Sequence, residues 1–188
     1  MVLNPCSWET YHRILEEHQD RTSPRFTYDE GRLEIMRPSP EHEELNEAVK
    51  QIVSLACEEL EIEVRPLGST TQRSLEQHKG VEPDSSFYFG QTDRDPHVAP
   101  PDLVVEVEIS RSALDKLPIF AALAVPEVWR CGRDSVEFLR LSETGYEAVD
   151  RSVWLPVTSV WLARQLVARP KMPRSQWLKA MRASLAGC

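Results

Sequence analysis

No run of the ~18 apolar residues that a membrane-spanning helix requires occurs in the chain. The start, Met1-Val2-Leu3-Asn4-Pro5, lacks the basic and apolar regions of a secretory leader. A cytoplasmic location with no membrane partner is therefore expected. Cysteine is sparse: Cys6, Cys57, Cys131 and Cys188 stand far apart, with no CxxC spacing and no neighbouring pair of histidines. That argues against a zinc site or a disulfide framework and leaves the thiols buried or free. Glycine is sparse too, and its 7 residues form neither a P-loop nor a GxGxxG turn, which removes the nucleotide- and dinucleotide-binding classes. No zinc finger, groove-reading helix or aromatic RNA-binding signature is visible, so the sequence does not separate DNA from RNA as a partner. Internal repeats and low-complexity tracts are absent as well.

Acidic residues are missing from one stretch only. Residues 151–188 carry 7 basic residues and no acidic one, whereas residues 1–150 carry 30 acidic and 15 basic, for a net charge of -8. An acidic body is a poor non-specific polyanion binder, but carboxylate-lined metal sites are themselves acidic, so the charge does not exclude a nucleic-acid substrate. The basic tail reads first as a face docking on the acidic body and second as a nucleic-acid contact.

With 188 residues, 41% hydrophobic and 28% charged, the chain has the size and composition of one globular domain. The expected organisation is a single domain over 1–188, with an α/β core over 1–150 and a basic C-terminal helical extension over 151–188. A leading helix is expected over 7–18, then a hairpin of 25–28 and 32–36 around Asp29-Glu30-Gly31. The clearest helix follows Pro38-Ser39-Pro40, where Ser39 suits the cap and Pro40 the first helical position. Its apolar stripe runs Leu45, Ala48, Val49, Ile52, Val53, Ala56, Leu60. Glu41 and His42 lie one turn before Leu45, on or beside the face that meets the protein, and so are candidate site residues.

Strand-like runs at 62–65, 70–73, 84–89 and 102–109 form the middle of the expected sheet. A helix over 116–123 tolerates Pro118 only in its first turn, which sets Lys116 at the helix start. Strands at 125–131, 135–141 and 146–149 and helices at 160–168 and 176–185 complete the reading, with 169–173 linking the two helices.

Chemistry concentrates in Asp102-Leu103-Val104-Val105-Glu106-Val107-Glu108-Ile109. As a strand, with side chains alternating between faces, it sets Leu103, Val105, Val107 and Ile109 on one apolar face and Asp102, Val104, Glu106 and Glu108 on the other. Asp84, after Pro83, opens a neighbouring strand and can approach Glu106 if the two strands pair. Carboxylate oxygens from two strand positions, with a backbone carbonyl such as that of Val107, suit a hard cation that keeps several waters, Mg²⁺ or Mn²⁺. The same acidic face could instead be solvated, or paired with Arg65, Arg73 or Lys116 in a structural network. His12, His18, His78 and His97 have no ligand spacing and read as surface residues; the five tryptophans read as packing residues rather than base stackers.

Four ordered segments resemble a known pattern: Gly80-Val81-Glu82-Pro83-Asp84, Pro101-Asp102-Leu103-Val104-Val105-Glu106-Val107, Asp115-Lys116-Leu117-Pro118-Ile119-Phe120 and Val125-Pro126-Glu127-Val128-Trp129-Arg130. Together with Leu33-Glu34-Ile35-Met36-Arg37-Pro38 and Pro40-Glu41-His42, they are similar to the bacterial Uma-two family of endonucleases, within the PD-(D/E)XK superfamily. The resemblance runs from the leading helix to about residue 150. It implies a restriction-endonuclease-like fold with a mixed central β-sheet flanked by helices. It further implies that Asp84 and Glu106 are the metal ligands and that Lys116 supplies the essential lysine. Glu108 departs from the superfamily pattern, which has a lysine two residues after the second acid. Either the lysine has migrated to Lys116, with Glu108 binding a second metal or holding Lys116, or the chain is a catalytically degenerate binding or assembly module. The expected function is Mg²⁺- or Mn²⁺-dependent hydrolysis of nucleic acid, DNA above all, with Asp102, Glu108, Glu41 and His42 in support and a homodimer favoured for cutting both strands.

Overall fold

The computed structural model describes residues 1–18, 21–90, 93–109 and 112–185. Two sheets share the strands. The smaller is antiparallel and begins with β1 (Val2–Leu3), followed by helix α1 (Trp8–His18) and the hairpin β2 (Arg25–Asp29) and β3 (Arg32–Met36). The hairpin loop is the two residues Glu30 and Gly31, both at positive φ, 45° and 92°. That is the twist a two-residue turn between antiparallel strands demands, and glycine supplies half of it without a Cβ penalty.

Helix α2 (Pro40–Glu59) comes next, capped as read: the Ser39 hydroxyl accepts from the His42 amide at 3.2 Å. Its stripe buries Ala48, Val49, Ile52, Val53 and Ala56. After β4 (Val64–Pro66), the short strands β5 (Gln72–Ser74) and β6 (Lys79–Val81) fold back on each other, and β6 pairs with β2. The order of this sheet is β1-β3-β2-β6-β5. The run near 70–73 is thus not in the middle of the main sheet. The turn at Leu75 to His78, with His78 at φ 49°, folds it onto β6 as an edge of the smaller sheet. Gly80 on β6 is needed for packing: a Cβ there would lie 2.7 Å from two ring carbons of the buried Tyr11, which stacks on Tyr28 at 4.8 Å.

The larger sheet holds β7 (Ser85–Phe89), β8 (Leu103–Val107), β9 (Glu127–Cys131), β10 (Val136–Ser142) and β11 (Gly145–Val149), in the order β11-β10-β9-β8-β7-β4. Among the described residues only β8 and β9 run parallel, with the short helix α3 (Leu117–Ala122) between them in sequence, so the expected mixed sheet is this one. The alternation read over 102–109 holds for residues 103–105, but the strand ends at Val107, short of Glu108 and Ile109. Leu103 and Val105 enter the core under α2, α4 (Ser159–Ala168) and α5 (Arg174–Leu185), while Val104 joins Ile119 and Phe120 under α3 on the opposite face.

Residues 151–185 complete the main core rather than standing apart from it. Leu162, Leu166, Trp177, Met181 and Leu185 are all buried in that cluster, and each such side chain contributes on the order of 1.5–3 kcal/mol. Two of the seven tail cations dock on α2: Arg182 bonds Glu59 at 2.8 Å and Arg174 bonds Gln51 at 3.1 Å. Between α4 and α5 the chain makes a single 3₁₀ turn, Arg169–Lys171. Among the described residues no helix is long and apolar enough to cross a membrane.

Candidate active site

β7 pairs antiparallel with β8 in the register Ser85↔Val105, and one step further sets Asp84 opposite Glu106. The Asp84 carboxylate is fixed there, because its Oδ2 accepts the Val107 amide at 2.7 Å. Its backbone is tied to α2: Asn46 donates to the Asp84 carbonyl at 3.1 Å and accepts from the Ser85 hydroxyl at 2.8 Å. Asn46 is the buried polar break in an otherwise apolar helix face, one turn after His42, and that break was the available sequence signal.

Two cations and one imidazole meet the two carboxylates. Arg25, which opens β2 and is buried, pairs through one terminal nitrogen with Asp84 and through the other with Glu43 at 2.9 Å. His42 Nε2 stands 3.0 Å from Asp84 Oδ2 but off a hydrogen-bonding line, so both nitrogens of this buried ring lack a directed partner. Burial holds the His42 imidazole below its ordinary pKa, and the Arg25 guanidinium pushes the same way. The second cation is Lys116, whose Nζ donates to Glu106 Oε2 at 2.6 Å from the N-cap position of α3. Burial raises the Glu106 pKa, and Lys116 and Arg25 oppose that rise.

Glu34 on β3 was missed as a structural anchor. It accepts from the Ser112 hydroxyl at 2.5 Å and from the Ala113 and Leu114 amides at 2.8 and 3.3 Å, so it fixes the segment that delivers Lys116. Arg25 gave no signal beyond a charge at the start of an apolar strand.

Asp84, Glu106, Lys116, His42, Arg25 and Glu108 all line one cavity of about 740 Å³. Two other candidates, Asp102 and Glu41, lie elsewhere. Asp102 is at the far end of β8, paired with Arg94 and accepting the Phe89 amide at 2.8 Å. Glu41 is exposed and holds Arg133 at 2.5 and 2.8 Å. Glu108 turns to Arg130, taking its Nε and Nη2 at 2.7 and 2.9 Å, rather than to Lys116.

The donor set fits a hard divalent cation. Glu106 Oε1 is a buried carboxylate oxygen with no hydrogen-bond donor, and Asp84 sits across the ladder from it. Among the described residues no group of three or more His, Cys, Asp or Glu side chains forms a metal cage. Two carboxylates are the kind of donor set that an ion keeping several waters, such as Mg²⁺ or Mn²⁺, takes.

Residues 8–165 match the model of the Uma2 family, described as "Putative restriction endonuclease". Four solved chains are similar to this one. One is a protein of Anabaena variabilis described as a putative nuclease belonging to DUF820; it shares 16% identity over 87% of this chain and 98% of its own, with a TM-score of 0.55. At that identity the likeness is one of fold. No curated protein matches the sequence.

Proposed function

The chain belongs to the Uma2 family, and from that premise we propose that it is a metal-dependent endonuclease hydrolysing phosphodiester bonds of nucleic acid, with DNA as its substrate. The observation that carries this reading is the convergence of Asp84, Glu106 and Lys116 on one cavity, from β7, β8 and α3. Asp84 and Glu106 would hold Mg²⁺ or Mn²⁺, which when bound polarises a phosphoryl oxygen and lowers the pKa of a water.

The protein's own groups do the rest. Lys116 opposes the rise that burial imposes on the Glu106 pKa and presents a cation beside it for the charge that develops on the phosphate. The Val107 amide and the Asn46 side chain fix Asp84 before anything binds, so no reorganisation of that ligand is needed at reaction. Cutting both strands of a duplex favours a symmetric pair of such sites. A cytoplasmic location belongs to the same reading.

The test is Mn²⁺- or Mg²⁺-dependent nicking of supercoiled plasmid and of labelled single strands, with Asp84→Ala and Lys116→Ala beside the wild type. Loss of cleavage in both variants is the expected result. A specific observation favours a second reading, a degenerate binding module: Glu108 stands in the usual lysine position, held by Arg130. Absence of cleavage together with absence of metal binding by calorimetry would select that module instead.

A further inference from the structure

Four lysine and arginine side chains line the cavity among the described residues: Arg25, Arg37, Lys116 and Arg130. Three are already engaged by carboxylates. Arg25 is held by Asp84 and Glu43, Lys116 by Glu106, and Arg130 by Glu108 with Glu137 at 3.5 Å. Arg37 is exposed and has no ion pair or hydrogen bond to any described residue. The charges of Arg25, Lys116 and Arg130 are thus already balanced in part by carboxylates, which weakens their pull on a further anion. Arg37 offers an uncompensated guanidinium, whose planar fork matches two phosphate oxygens.

The backbone that carries Arg37 is stiff. Met36 ends β3, Pro38 fixes its own φ, Ser39 is the cap of α2 at φ -80° and ψ 160°, and Pro40 is the first helical residue. The arginine is thus mounted on a short connection clamped by a strand on one side and a helix on the other. Little backbone freedom remains to be lost when an anion binds, and that lowers the entropic cost of the contact.

We infer that Arg37 is the substrate anchor of this cavity, binding a non-reacting phosphate of the nucleic-acid strand whose neighbouring phosphodiester lies at Asp84 and Glu106. The inference rests on the nuclease reading and adds the residue that grips the strand. Arg37 is a positioning residue: it acts on the substrate's place in the cavity and not on the metal ligands.

The experiment is an anisotropy titration of a fluorescein-labelled oligonucleotide at several KCl concentrations, with Ca²⁺ in place of Mg²⁺, using wild type, Arg37→Ala and Arg37→Lys. Arg37→Ala should weaken binding about tenfold and reduce the slope of log K against log salt by about 1, as expected for one lost phosphate contact. Arg37→Lys should keep the slope, because the charge remains. Mn²⁺ affinity by calorimetry should be the same in all three, and in cleavage the loss should fall on KM. Equal affinity and equal slope for Arg37→Ala and a wild type that cleaves would overturn the role of Arg37 and leave the nuclease standing. A wild type that binds no nucleic acid would overturn both.

Discussion

Lys116 Nζ donates to Glu106 Oε2 at 2.6 Å, although the two are ten residues apart and on different elements. The position two residues after the acid, just past the end of β8, holds Glu108, and the ammonium arrives instead from the N-cap of the next helix. Both partners are largely buried, with side chains 12% and 10% exposed. Lys116→Met should therefore have two separable effects. Cleavage should fall by at least about a hundredfold, the scale of one lost electrostatic stabiliser. Stability should fall by about 3 kcal/mol in urea unfolding, because Glu106 is left buried without its partner. A double change, Lys116→Met with Glu106→Gln, should recover most of the stability and none of the activity. Full activity in Lys116→Met would remove the lysine from the site.

Glu34 supports the segment that delivers Lys116 through the Ser112 hydroxyl, 78 residues away from it in sequence. Glu34→Ala deletes the acceptor for that hydroxyl and for two backbone amides but leaves the two metal-ligand candidates untouched. Cleavage should drop by roughly tenfold or more, as small misplacements of a catalytic group do, while Mn²⁺ affinity by calorimetry stays that of the wild type. A parallel loss of metal affinity would mean that the 112–114 segment shapes the carboxylate pair as well.

What could be read in the sequence was periodic. Period two along β8 separated Leu103 and Val105 from Val104 and Glu106, and period 3.6 along α2 gave its buried stripe and the inward place of His42. Pro118 fixed Lys116 at a helix start, since proline is tolerated only where amides lack partners. What could not be read was pairing at long range. Period two sets Asp102 on the face of Glu106, but only the folded chain reveals that it sits at the other end of the strand, against Arg94. Arg25 reaches Asp84 from another sheet, whose hairpin was legible but whose strand Lys79-Gly80-Val81 is too short to show an alternation. Glu41 and Glu108 read as site acids, while the structure turns each toward an arginine.

The alkaline limit of the fold should involve Cys57. Burial among α2 neighbours raises its thiol from the usual 9.0 to about 11. A thiol held neutral in the folded state but free to ionise in the unfolded chain contributes stability below pH 9 that is lost as pH rises towards 11. Urea midpoints measured between pH 8 and pH 11 should thus fall more steeply for the wild type than for Cys57→Ala, which has no such group. Parallel curves would show that the thiol does not titrate with unfolding in this range.

Arg25 and a divalent cation would compete for the same carboxylate, because the guanidinium sits on Asp84 Oδ1 and the ion would need oxygens of the same residue. Arg25→Met removes the competitor and leaves Asp84, whose side chain is 1% exposed, without its main counter-charge. In the absence of metal the variant should lose about 3–5 kcal/mol, the usual cost of breaking a buried pair on one side. Mn²⁺ should bind it more tightly than the wild type, and saturating ion should restore stability in proportion to the logarithm of its concentration over Kd. Thermal unfolding with and without Mn²⁺ measures both effects on one sample. A variant that is destabilised but gains nothing from Mn²⁺ would mean that Asp84 is an anchor for Arg25 and the Val107 amide, and that the ion is held elsewhere or not at all.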